Sequence, residues 1–108
     1  MKALVIISSA DDRALPGFMW AVNALKYGWA EDVEVILFGP VEEAVANRDE
    51  RFLPWIEKLR ELGKSPVACK RLAEMGNFEA PLKEHARLEY VGKIIAGYLE
   101  RGYVPMTF

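Results

Sequence analysis

Cys69 is the only cysteine in the chain, and Lys70 and Arg71 follow it directly. The thiolate is the reactive form of the side chain, as nucleophile or as sulfur carrier, and nearby cations and the start of a helix both favour it. Pro66-Val67-Ala68-Cys69 reads as a short strand, and Lys70 to Met75 as a helix-prone segment closed by Gly76-Asn77. The spacing therefore predicts Cys69 where a strand ends and a helical turn begins, with Lys70 and Arg71 as anion-stabilising neighbours. A lone cysteine is also a good small hydrophobe for closing a strand, so the residues by themselves leave a structural role open.

Other chemistry-bearing residues form weaker patterns. His85 and Glu89 are four apart and could share a helix face, but no third ligand accompanies them, so the pair reads as a surface contact and no metal site is expected. Asp11-Asp12 and Glu42-Glu43 are neighbours in sequence, which splays each pair rather than converging it, and all four read as solvated charges. No glycine-rich dinucleotide fingerprint follows the first apolar run, and Gly92-Lys93 lacks a phosphate-cradling loop before it. No cofactor is expected. Trp20, Trp29 and Trp55 fall in segments read as helical, which suits packing or subunit contact.

The elements that must position Cys69 follow from apolar spacing. Ala3 to Ile7 is an uninterrupted apolar run, the pattern of a strand covered on both faces, and a polar loop from Ser8 to Ala14 follows it. Leu15, Phe18, Val22, Leu25 and Trp29 recur at helical spacing, with Pro16 suited to a first turn and Gly28 to a stop. Val33 to Phe38 is a second strand ended by Gly39-Pro40, and a short helix over Val41 to Ala46 comes next. Phe52, Ile56, Leu59 and Leu62 mark another helix, closed by Gly63. Asn77 to Ala86 has no regular pattern. Leu88 to Val91 reads as a fourth strand, Lys93 to Arg101 as a helix with Ile94, Ile95, Tyr98 and Leu99 inward, and Tyr103 to Phe108 as a last strand. Pro105 places that strand at a sheet edge, because proline cannot donate to an inner ladder.

Five strands alternating with helices predict one domain over residues 1–108, a three-layer α/β/α sandwich around a mostly parallel five-stranded sheet. Open sheets of this kind bind ligands at the carboxyl ends of their strands, which adds Ser8, Ser9 and Gly39 to Cys69 as crevice-lining candidates. At 108 residues the chain suits one core. Its 52% apolar and 28% charged composition argues against disorder. A net charge of −2 with the signs interspersed argues against a nucleic-acid partner. Charges interrupt every apolar stretch, so no membrane span is expected, and Met1 to Ile7 is too short for a secretory signal. A single cysteine with no pairing partner fits the reducing cytoplasm. The absence of glutamine beside plentiful Glu, Lys and Arg is a bias of proteins from hot environments.

Taken in order, Leu4-Val5-Ile6-Ile7-Ser8-Ser9-Ala10-Asp11-Asp12, the Ala-rich first helix, Val33 to Pro40 and Pro66-Val67-Ala68-Cys69-Lys70-Arg71-Leu72-Ala73 resemble the DsrE/DsrF-like family. The closing Leu88 to Gly92, a helix, and Glu100 to Val104 are similar to that family's ending. The resemblance implies a role in intracellular sulfur relay, with sulfane sulfur held as a persulfide on Cys69 between donor and acceptor proteins. It also implies a homo-oligomer, trimer or hexamer; with three Trp, four Tyr and five Phe on a small domain, Trp20, Trp29 or Trp55 is expected at or near a contact. The alternative from another class is a non-enzymatic oligomeric scaffold or small-ligand binder with an inert cysteine.

Overall fold

A computed structural model of the chain describes all 108 residues. The strands are β1 (Lys2–Ile7), β2 (Asp32–Leu37), β3 (Val67–Cys69), β4 (Arg87–Glu89) and β5 (Val104–Thr107). They form one sheet in the order β4-β3-β2-β1-β5, with every pairing parallel. Six helices connect them: α1 (Leu15–Lys26), α2 (Val41–Ala46), α3 (Leu53–Glu61), α4 (Lys70–Gly76), α5 (Glu79–Lys83) and α6 (Val91–Glu100). The α/β sandwich read from the sequence is the observed fold. Pro105 lies on β5, an edge strand, opposite Leu4.

Alternation along the strands divides the core in two. Ala3, Val5 and Ile7 of β1, with Val33, Val35 and Leu37 of β2 and Ala68 of β3, face α1, α2, α3 and α5 in a cluster of 22 buried residues. Leu4, Ile36, Val67 and Cys69 point the other way, where α6 covers them through Val91, Ile94, Ile95 and Tyr98, with Leu72 of α4 packed at the margin. The layers are unequal for a topological reason. The chain steps in one direction from β1 to β4, then returns past three strands to place β5 beside β1. Right-handed crossovers put the helices of the outward steps on one face and the helix of the return step on the other.

Several boundaries differ from the sequence reading. Helix α1 ends at Lys26 because Gly28 turns left-handed at φ 69° and the Trp29 N–H bonds back to the Ala24 carbonyl at 2.9 Å. Trp29 is therefore outside the helix and 55% exposed. Gly63, at φ 81°, closes α3 in the same way, with Lys64 N–H on the Leu59 carbonyl at 2.9 Å, and leaves Leu62 exposed. Strand β4 stops at Glu89 and α6 begins at Val91, earlier than expected, and Leu99 is exposed rather than inward. The Asn77 to Ala86 segment contains α5, whose Leu82 is fully buried.

Candidate functional site

All five strands point their carboxyl ends to one edge, and at that edge the topology separates two neighbours. The chain leaves β3 toward α4 and α5 on the thicker face, whereas it leaves β4 toward α6 on the other. Adjacent strands whose exits diverge leave a crevice between them, the place where open α/β sheets bind ligands. Cys69 is the last residue of β3 and pairs in register with Glu89, the last residue of β4, so it lies at this divergence. Its backbone is extended, at φ −69° and ψ 110°, and it caps α4 without a side-chain hydrogen bond. The thiol is free and buried, packed with Leu4, Ile36, Val67 and Val91.

Tyr90 bridges the two exits. Its hydroxyl donates to Glu74 of α4, 3.1 Å from Oε1, and its ring lies 5.8 Å from Lys70 Nζ. Lys70 is thus engaged with the tyrosine face, and Arg71 is exposed. Ser8 and Gly39 are brought together at the ends of β1 and β2: the Ser8 carbonyl accepts from the Val41 N–H at 2.9 Å. Gly39 has φ 142°, and a Cβ there would stand 2.2 Å from Ser8 Oγ. Only glycine allows this approach. Ser9 is half-buried, turned toward the chain end with its N–H on the Phe108 carbonyl. A crevice of about 280 Å³ lies beside these loops, lined by Gly39, Pro40, Glu43, Leu72 and Phe78.

The sequence reading missed the residue that joins these parts. Glu42, expected to be solvated, is fully buried at the first turn of α2. Its Oε2 accepts from the Gly39 N–H at 3.2 Å, the Cys69 backbone N–H faces the same carboxyl group, and Oε1 has no partner. Burial pushes Glu42 up to about 7, with the Gly39 and Cys69 amides holding it back. Val41, Glu42, Val45 and Ala46 are all buried, so α2 hides most of its surface. The pattern gave a faint signal, since Glu42 falls on the buried side of a helix that is apolar at positions three and four residues on.

His85 also differs from its reading. It is buried at the end of α5, while Glu89 lies on β4, so the two never share a helix face. Asp11 and Asp12 are exposed as expected, on Arg13 at 2.8 Å and Arg51 at 3.2 Å respectively. No group of three or more His, Cys, Asp or Glu side chains is arranged to hold a metal ion. No helix is long and apolar enough to cross a membrane.

No family model and no curated protein matches the chain. Among solved structures, it is similar to a conserved protein of unknown function from Bacteroides thetaiotaomicron, at a TM-score of 0.83 and 23% identity over 99% of this chain and 94% of that one. That likeness shows the fold.

Proposed function

We propose that the protein is a sulfur carrier of the kind its resemblance to the DsrE/DsrF-like family implies, working as a homo-oligomer in a reducing cytoplasm, with Cys69 holding the sulfur. The observation that carries this reading is the place of Cys69 at the carboxyl end of β3, where the exits of β3 and β4 diverge. The reaction uses the Cys69 side chain in its thiolate form, the nucleophilic species. The Cys69 thiolate then attacks the outer sulfur of a donor persulfide. A new S–S bond forms on Cys69, the donor's S–S bond breaks, and the donor leaves as a thiolate carrying the electron pair. An acceptor thiolate removes the sulfur by the same exchange in reverse.

Intact mass after exposure to a persulfide donor tests this. The chain should gain the mass of one sulfur atom, lose it on treatment with a reducing thiol, and stay unchanged as Cys69→Ser. The enclosed packing of Cys69 favours the second reading, a binding or scaffold protein with an inert thiol. In that case the folded chain takes up no sulfur, and resists alkylation at neutral pH until denaturant is added.

A further inference from the structure

Away from the carboxyl edge, a cavity of about 470 Å³ is lined by Arg48, Glu50, Leu53, Pro54, Glu57 and His85. It lies where the Asn47–Phe52 loop and the start of α3 meet the end of α5. Its volume is within the range of small-molecule sites. The His85 side chain is nine-tenths buried, and its Nε2 has no hydrogen-bond partner. An unsatisfied buried nitrogen of this kind is costly to keep in a folded protein.

The nearest acid to that nitrogen is Glu84, whose Oε2 stands 3.9 Å from His85 Nε2 and 4.0 Å from an Arg48 nitrogen. Both separations are too long for hydrogen bonds. The Glu84 side chain is largely exposed, so it can swing away without leaving a buried gap. A carboxylate is thus loosely held between two groups that could each bind one more closely. Arg48 lines the cavity and has a left-handed φ of 61°, a conformation that glycine adopts readily. Glu57 is already paired with Arg60 at 2.9 Å, but Glu50 has no cationic partner. Leu53 and Pro54 form an apolar wall.

We propose that this cavity binds a small zwitterion of the α-amino acid class, its carboxylate bridging Arg48 and His85 where Glu84 now stands, its ammonium on Glu50, and its side chain on Leu53 and Pro54. The site does not depend on Cys69 chemistry. In the free protein, burial and the charges of Arg48 and Arg60 hold His85 below its usual range, against the pull of Glu84 and Glu57. A bound carboxylate favours the imidazolium, so His85 takes up a proton on binding and affinity rises as pH falls through neutrality.

His85 is the only histidine, so its imidazole NMR signals report on the site without assignment. The full chain is titrated with alanine, leucine and phenylalanine, and in parallel with two halves of leucine: 4-methylpentanoate, which lacks the ammonium, and isopentylamine, which lacks the carboxylate. At least one amino acid should shift the His85 signals saturably, raise the pH at which they titrate, and bind several-fold more tightly near pH 6 than near pH 8. The two half-ligands should bind about tenfold more weakly or worse, as expected for the loss of one charged hydrogen bond. Arg48→Gly removes the guanidinium while suiting the left-handed backbone, so the fold is retained, and it should weaken binding by about tenfold or more. No saturable shift up to roughly 10 mM of any amino acid, where even a weak site would begin to fill, overturns the proposal. So does Arg48→Gly binding as tightly as the native chain, or 4-methylpentanoate binding as tightly as leucine.

Discussion

Glu42 and His85 are both buried ionisable residues with an unsatisfied polar atom, and they act on stability in opposite directions. Glu42 titrates at about 7 in the folded chain and near 4.5 when unfolded. The folded state therefore binds more protons than the unfolded state between these values, and stability falls as pH rises across that window. The whole effect amounts to roughly 3 kcal/mol at most. His85 is shifted below 6.5, so it binds fewer protons when folded, and its contribution is lost as pH falls below that value. Glu42→Gln keeps an oxygen for the Gly39 N–H but cannot charge. Urea denaturation between pH 5 and pH 8 should show the native chain losing stability on the alkaline side and the variant holding level there. Equal slopes for the two would mean that Glu42 is not the group responsible.

Among the elements, α1 and α6 carry different loads. Phe18 of α1 is fully buried and stacks on Phe52 with ring centroids 5.5 Å apart, within the larger cluster. Ile95 of α6 is only half-buried on the thin face. Phe18→Ala should cost about 3–5 kcal/mol in chemical denaturation, the range for emptying a large core site. Ile95→Ala should cost about 1–2 kcal/mol, because its side chain leaves less water-excluded surface behind. Comparable losses from the two would show that α6 is as firmly seated as the helices of the thick face. A weaker seat has a functional consequence, since Val91 at the head of α6 packs in the cluster that encloses Cys69. Local opening of α6 would expose the thiol at a cost below that of global unfolding.

For the whole molecule, the aromatic content argues for assembly. Of its three Trp, four Tyr and five Phe, the single chain leaves Tyr27, Trp29, Phe38 and Tyr90 exposed. Trp20 and Trp55 are half-buried at the margin of the larger cluster, while exposed Trp29 stacks on exposed Tyr27 at 5.8 Å. Light scattering at micromolar concentration should give a multiple of the 12.2 kDa chain mass, a trimer or hexamer, and Trp29→Ala should shift it toward smaller species. A native chain that runs at the monomer mass removes the oligomer from the proposed function.

The order of strands and helices, the edge position of Pro105 and the end of β3 at Cys69 were legible in the sequence. Each rests on local rules: apolar runs, helical spacing, and the missing proton donor of proline. Trp29 misled because its spacing continued the helical series beyond Gly28, where the left-handed turn had already ended α1. Glu42 and His85 were misread because charge usually predicts exposure, and burial is set by what other elements place over a residue. Only the tertiary structure decided that β4 lies beside β3 while its connection leaves on the opposite face. That arrangement sets Cys69 at a divergence of strands, and it depends on pairings between segments distant in the chain, which no local pattern encodes.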